Sequence, residues 1–568
     1  VKKRRIWLGL LITIVLVPAA LTVAVFVSAN RPPPSLVLGQ IVQIESGAIQ
    51  GAAVDDIAVY RGIPFAAAPL GALRWRAPQP VESWTGVRRV THFKPSCMQP
   101  ALRIPGLETG PISEDCLYLN VWAPRKRPQE RLPVMVYLHG GGGMVGSASS
   151  RLYWGDELAR HGVITVNLSY RVGILGWLAH PDLTREASYG ASGNYAVLDM
   201  IAGLRWVRRN IAAFGGDPNN VTLFGQSAGA FNASRLMTSP LAEGLFHKVI
   251  GQSGGDFHPT GTSGGNVSLA EAERSGVEFA TSLGAASIEE LRKIPAEKIL
   301  QAPLPKSQTR LPVIDGYVAV ADNQALYKQG KQAKIPILVG YNEREGDALL
   351  DPMRPPPPTT AAEVLASIEE SYGDYTPRML EMYPVRTEAE ALESFARLTG
   401  EQAINWNTAT WARLHAATGE SGVYFYYFRK RPPFGPFRRV GAAHGTELPY
   451  VFGAIPKWMR VFTQWPWKAR QDLELTRQIP AYWTNFAKTG NPNGEGLPEW
   501  PSYKASEQAL HFAEGGTAAG EFPHQAEHAH MDRYFESLRR IDEAEHIALP
   551  RSSSGDASAQ AAARGREF

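Results

Sequence analysis

The segment Val221-Thr222-Leu223-Phe224-Gly225-Gln226-Ser227-Ala228-Gly229 decides how the rest of the chain is read. Its first four residues are apolar or β-branched and predict a buried strand, while Ala228 to Thr238 has helical character. Between them the glycines of a G-x-S-x-G pattern set a serine in a tight turn. A strand, a sharp turn and an immediate helix hold the hydroxyl forward and aim the helix N-terminus at developing negative charge. The pattern alone does not select the residue, because it recurs at Ser253 (Gly251, Gly255) and Ser263 (Gly261, Gly265), as chance allows with 54 glycines. Context does select it. Ser253 runs into Asp256, His258 and Pro259 without a helix, and Ser263 lies in a Gly/Ser/Thr stretch.

Further continuous apolar runs lie on either side, at Val134–Leu138, Val163–Leu168, Lys248–Gly251 and Ile335–Val339. They alternate with helical patterns such as Val197–Asn210. Buried runs separated by helices predict an α/β fold, a large and mostly parallel central sheet with helices on both faces. The earlier stretch alternates with period two (Ile41, Ile44, then Val54 to Arg61) and predicts antiparallel edge strands. There is no internal repeat. Pro355–Pro358 marks a break read as a surface loop, and a Ser-, Ala- and Gly-rich tail expected to be disordered covers 549–568.

Lys2, Lys3, Arg4 and Arg5 precede an uncharged, mostly apolar run from Ile6 to Ala29. That run is long enough to cross a hydrocarbon core of ~30 Å as a helix, with its cationic flank in the cytoplasm. A signal peptide is the competing reading, since Val27-Ser28-Ala29 resembles a cleavage site. Either way the remainder is exported, with a membrane partner only if the segment is retained. The expected organisation is residues 1–30 as anchor or signal, 31–38 as a Pro-rich linker, and 39–548 as one catalytic domain.

The net charge of +4 owes much to that basic cluster, so no nucleic-acid footprint is indicated. The two cysteines, Cys97 and Cys116, close a loop short enough for a disulfide, which would persist in an oxidising compartment; two unrelated thiols are the alternative. Their spacing does not suit zinc, and no metal or cofactor is expected. His524, Glu527, His528 and His530 have spacings that can gather metal ligands, but are read instead as part of a solvated face.

His139-Gly140-Gly141-Gly142-Gly143 follows the Val134–Leu138 run directly. Consecutive glycines let a backbone approach a substrate and point N–H groups at a carbonyl oxygen. Together with YRGIPFA (60–66), EDCLYLNVWAP (114–124), NLSYRVGILGWL (167–178), WVRRNIAAFGGDPNNVTLFGQSAGA (206–230) and YWTNFAKTGNPN (482–493), this loop makes the chain resemble the type-B carboxylesterases, which include cholinesterases and bacterial para-nitrobenzyl esterases. The resemblance runs from about Gly39 to Tyr503 and implies an α/β-hydrolase fold with a Ser, acid, His order.

By that resemblance the nucleophile is Ser227. GYNEREG (340–346) places the acid at Glu345, with Glu343 and Asp347 as alternatives, and GAAHGTELPYVFG (441–453) places the base at His444. The implied oxyanion donors are the amides of Gly141, Gly142 and Ala228. Cys97 and Cys116 match the family's first disulfide, and Ser253 is expected to support the triad by hydrogen bonding.

Two departures bear on the substrate, a small-molecule ester. Gln226 stands where cholinesterases carry glutamate, and no Trp, Tyr or Phe lies between Cys97 and Cys116 to hold a quaternary ammonium. A neutral, largely apolar ester is therefore expected rather than a choline ester. Gly143 replaces the family's usual Phe, which predicts a wider pocket. Amide, carbamate or polyester cleavage would use the same residues. An adhesion role like that of neuroligin-like relatives is disfavoured, because such proteins typically lose a triad residue.

Overall fold

The computed structural model describes residues 37–102, 104, 106–125, 130–262, 264–303, 312–348, 357–432, 441–454 and 468–548. The proposed anchor, residues 31–36 of the linker, the tail, Pro355, Pro356 and Ser263 lie outside these residues, while linker residues Val37 and Leu38 already belong to the first strand.

Among the described residues thirteen strands form one sheet. In chain order they are β1 (Val37–Ile44), β2 (Gly47–Val54), β3 (Ile57–Pro64), β4 (Val87–Arg89), β5 (Tyr118–Pro124), β6 (Leu132–Leu138), β7 (Ile164–Leu168), β8 (Gly216–Gln226), β9 (Lys248–Gln252), β10 (Ile337–Asn342), β11 (Val423–Phe428), β12 (Gln508–Ala513) and β13 (Gly516–Glu521). The spatial order is β1-β2-β3-β5-β7-β6-β8-β9-β10-β11-β12-β13, with β4 beside β2. From β7 to β12 every neighbour is parallel, whereas β1, β2, β3 and β5 enter antiparallel and β13 closes the far edge antiparallel. The expected α/β-hydrolase sheet is present. The expected antiparallel strands at the beginning are present, and the Val54–Arg61 stretch spans the end of β2 and the start of β3. It crosses a hairpin at Asp55-Asp56, with Asp55 at φ 53°, because two adjacent aspartates favour a turn over a ladder.

The central strands read as unbroken apolar runs because successive side chains enter two different cores. Val134, Val136 and Leu138 join one cluster with Leu204 of α1 (Tyr195–Asn210) and Trp411 of α3 (Trp406–Thr418). Met135 and Tyr137 join the opposite cluster with Leu475, Ile479, Tyr482 and Trp483 of α4 (Lys468–Thr489). The same alternation holds along β10, where Ile337, Val339 and Tyr341 face one way and Leu338 the other. Helix α2 (Ala228–Leu236) follows β8 after the single residue Ser227. Among helices in the described residues, none is long and apolar enough to cross a membrane.

The C-terminal histidines correct their reading as a solvated face. His528 and His530, on α5 (Gln525–Ala548), are buried. His528 Nδ1 lies 2.5 Å from Glu401 Oε1, and its Nε2 lies 3.0 Å from the Tyr341 hydroxyl. Polar residues pass for surface in sequence when their partners, here Glu401 and Tyr341, are more than a hundred residues away. Among the described residues no three His, Cys, Asp or Glu side chains gather as metal ligands.

Candidate active site

Ser227 adopts φ 55°, ψ −126° at the junction of β8 and α2. Such a backbone is costly for a residue with a Cβ and persists only where its surroundings hold it. The flanking glycines show what holds it. A Cβ on Gly225 would lie 2.5 Å from the carbonyl carbon of Gly229, and one on Gly229 would lie 2.0 Å from the Leu138 oxygen. The strand end and helix start therefore touch backbone to backbone, leaving the serine to span a one-residue turn. The Ser227 N–H donates to the Gln252 carbonyl at 2.8 Å, while its own carbonyl accepts from Ala230 and Phe231. Ala228 opens α2, so its amide has no acceptor within the helix.

The glycine loop after β6 lies beside this turn. Gly141, Gly142 and Gly143 have φ of 113°, 62° and 73°. The amides of Met144 and Val145 both bond the Gly141 carbonyl, closing the loop on itself. A Cβ on Gly141 would lie 2.1 Å from the Val145 oxygen. His139 anchors the start of the loop, stacked on Tyr170 with ring centres 4.2 Å apart. Burial lowers its pKa to about 4, so the ring is neutral near pH 7. The Gly143 carbonyl accepts from Trp177 Nε1 at 3.1 Å, and a Cβ at Gly143 would meet that nitrogen at 3.2 Å. A phenylalanine there would need both a left-handed backbone and a displaced indole.

β8, β9 and β10 are consecutive and in register, with Gln226 opposite Gln252 and Gln252 opposite Gly340. Their C-terminal ends therefore deliver Ser227, Ser253 and the acidic turn to one place. Glu345 follows β10 in a short 3-10 turn and is buried. Its Oε1 accepts from the Ser253 hydroxyl and the Asn342 amide, each at 2.6 Å. Its Oε2 lies 2.5 Å from His444 Nδ1. The two alternatives are engaged elsewhere, Glu343 with Arg429 at 3.0 Å and Asp347 with Arg344 at 2.6 Å. The histidine loop is drawn to the acid turn by the Arg344 N–H, which donates to the Ala442 carbonyl at 2.9 Å.

Burial pulls the His444 pKa down most strongly. The charge and hydrogen bond of Glu345 and the charge of Glu447 together outweigh it, and the net shift is upward. A neutral imidazole that donates Nδ1–H to Glu345 presents a lone pair at Nε2. Gln226 Nε2 lies 3.1 Å from that atom.

Glu447 is the residue that reading the sequence missed. It is buried, with Oε1 accepting from Gln252 Nε2 at 3.1 Å and Oε2 from Asn342 Nδ2 at 2.6 Å. Burial first, then repulsion from Glu345, raise its pKa to about 7. The negative charge that Gln226 removes is thus not wholly lost from the neighbourhood. The available signal was a glutamate three residues after His444, at the edge of the apolar run Leu448-Pro449-Tyr450-Val451-Phe452.

Cys97 and Cys116 are joined in a disulfide. Beside it lies a small recess lined by Met98, Arg74, Glu114 and Arg171. Its charges are matched, since Arg74 pairs with Glu114 and Arg171 with Asp199.

Residues 39–531 match the Carboxylesterase family. The chain is 37% identical over 495 residues to "Fumonisin B1 esterase" of Sphingopyxis macrogoltabida, covering 86% of this chain and 88% of that protein. It is 34% identical over 560 residues to "Liver carboxylesterase 1" of Oryctolagus cuniculus, covering 90% and 94%. A solved para-nitrobenzyl (PNB) esterase structure superposes with a TM-score of 0.72 at 31% identity, over 86% of this chain and 99% of that one. Sheet order, serine turn and full-length similarity agree: the chain belongs to the carboxylesterase family and is a carboxylic ester hydrolase.

Proposed function

We propose that Ser227, His444 and Glu345 form the catalytic triad and that the amides of Gly141, Gly142 and Ala228 form the oxyanion hole. The observation that carries this reading is the Glu345–His444 contact of 2.5 Å, set beside the strained Ser227 turn. His444 Nε2 takes the Ser227 proton as Oγ attacks the ester carbonyl, and the resulting oxyanion is met by the loop and helix amides. Collapse expels the alcohol, which receives the proton from the imidazolium. Water then attacks the acyl-enzyme by the same route in reverse. Glu345 holds the tautomer and steadies the imidazolium, while Ser253 and the Asn342 amide hold Glu345.

The substrate in this reading is a neutral, largely apolar ester. Support comes from the carboxamide at Gln226 and the lack of aromatic residues between Cys97 and Cys116. The Cys97–Cys116 disulfide fits an oxidising compartment, consistent with export directed by residues 1–29, which would also anchor the chain in a membrane if retained. Hydrolysis of para-nitrophenyl esters of graded acyl length by the wild type and by Ser227→Ala tests the assignment. Turnover lost in the variant for every ester is the expected result, and undiminished turnover overturns the triad. A choline ester hydrolysed faster than its isosteric neutral analogue overturns the substrate class.

A further inference from the structure

The loop Gly140–Gly143 is built wholly of glycine, the residue that leaves a backbone the most freedom. Amides stabilise a developing oxyanion only if they already stand in place, so such a loop has to be held from outside. Its start is held. The Tyr170 hydroxyl donates to the His139 carbonyl at 2.6 Å, and His139 Nδ1 lies 2.9 Å from the Gly140 carbonyl oxygen. Beyond that point Gly142 is exposed, and a Cβ on it would meet no atom within 4 Å. Among the described residues no acceptor faces the Gly141 or Gly142 amide.

The far end is held through one atom, the Gly143 carbonyl oxygen. It accepts from the Gly173 amide at 2.7 Å and from Trp177 Nε1 at 3.1 Å, one donor for each lone pair. Both donors belong to one buried piece. Gly173 caps the short helix Ile174–Trp177, whose four residues are all buried, and Trp177 itself is 2% exposed. A buried indole N–H needs an acceptor, and Gly143 supplies it. The missing Cβ at Gly143 admits the ring, since one would lie 3.2 Å from Nε1. None of these contacts draws on an atom of Ser227 or His444.

We propose that Trp177 is a positioning residue for the oxyanion loop. By holding the Gly143 carbonyl, its indole N–H keeps the amides of Gly141 and Gly142 turned toward the carbonyl oxygen of the substrate. The effect belongs to the transition state, because a neutral ester carbonyl asks little of those amides and an oxyanion asks much. The proposal rests on the oxyanion reading and deepens it.

The test is steady-state hydrolysis of a para-nitrophenyl ester by the full chain carrying Trp177→Phe, which keeps a ring and removes the N–H. Rates are counted per titrated active site. An aryl trifluoromethyl ketone probes the oxyanion, since a serine adds to its carbonyl and leaves a negatively charged tetrahedral oxygen. In Trp177→Phe kcat falls about tenfold with KM unchanged, the scale of one orienting hydrogen bond. That is well short of the roughly 10²–10³-fold lost when an oxyanion donor is removed outright. Affinity for the ketone falls by the same factor, and the acid limb of the pH profile stays in place because His444 is untouched. A ring that only filled space would lower Tm and leave kcat per active site as it was. Gly143→Ala, whose Cβ presses on the indole nitrogen, is expected to lose kcat and ketone affinity together, and it decides if Trp177→Phe does not fold. Wild-type kcat and ketone affinity in either variant overturn the proposal, as does a fall in kcat without a matching fall in ketone affinity. A wild type that binds the ketone no more tightly than the ester is a separate outcome, which removes the oxyanion hole itself rather than the part played by Trp177.

Discussion

Ser227 and Ser253 invite comparison because locally they are almost the same residue. Each sits at the centre of a G-x-S-x-G pattern, each follows a buried strand, and the two strands are adjacent, parallel and in register. Each has a left-handed backbone, with φ of 55° and 53°. Beyond that they diverge. A helix follows Ser227, which is only partly buried, whereas Ser253 is fully buried and donates to Glu345. In the proposed mechanism one serine attacks the substrate and the other braces the acid. A positive φ is common to both, and the element that follows separates them.

The largest expected effect tests the first half of that contrast. Ser227→Ala lowers kcat by on the order of 10⁶-fold, the scale of loss for a triad nucleophile. A steady-state assay with an active-site titrant checks it. Glu345→Gln comes next, at about 10⁴-fold, because a neutral amide leaves the wrong imidazole tautomer facing the serine. Its folding, followed by circular dichroism, is expected to survive.

Ser253→Ala sharpens the contrast. Glu345 Oε1 keeps its bond from the Asn342 amide, so about tenfold in kcat is lost, the scale of one hydrogen bond to a charged group. A loss as large as that of Ser227→Ala would reverse the roles assigned to the two serines.

The smallest effect concerns Glu447, bonded by the Gln252 side chain just before Ser253. Its carboxyl is raised from 4.5 to about 7, so the folded state holds a proton that the unfolded chain has already released. Its contribution to stability therefore falls as pH rises from 4.5 to about 7 and is level above. His444, also raised, contributes stability that is full below 6.5 and is lost as pH rises through its folded pKa. Glu447→Gln is expected to flatten the fall in Tm between pH 5 and 7 while leaving the part due to His444. Thermal denaturation across that range reads the difference.

Much of this was legible from residues alone. The unbroken apolar runs predicted a sheet covered on both faces, since a strand buried on one face only would alternate. Strand, turn and helix favoured Ser227 among three matching serines, and motif resemblance pointed to Glu345 and His444, which the structure sets in contact. Other features had no local signature. His528 and His530 looked polar and surface-bound, yet Glu401 and Tyr341 lie against a buried His528.

The sequence by itself determined the fold class and the type of chemistry, and it put Ser227 forward as the candidate nucleophile. Those depend on periodicity, glycine placement and the short-range order of elements, which a linear chain carries explicitly. Only the tertiary structure brought Glu345 within 2.5 Å of the imidazole, turned Glu343 and Asp347 to other partners, and set Gln226 against His444 Nε2. It also decided that Glu447 lies between Gln252 and Asn342. Hydrogen bonds and charges act over a few ångströms in space between residues up to 218 positions apart, and that proximity exists only once the strands have aligned.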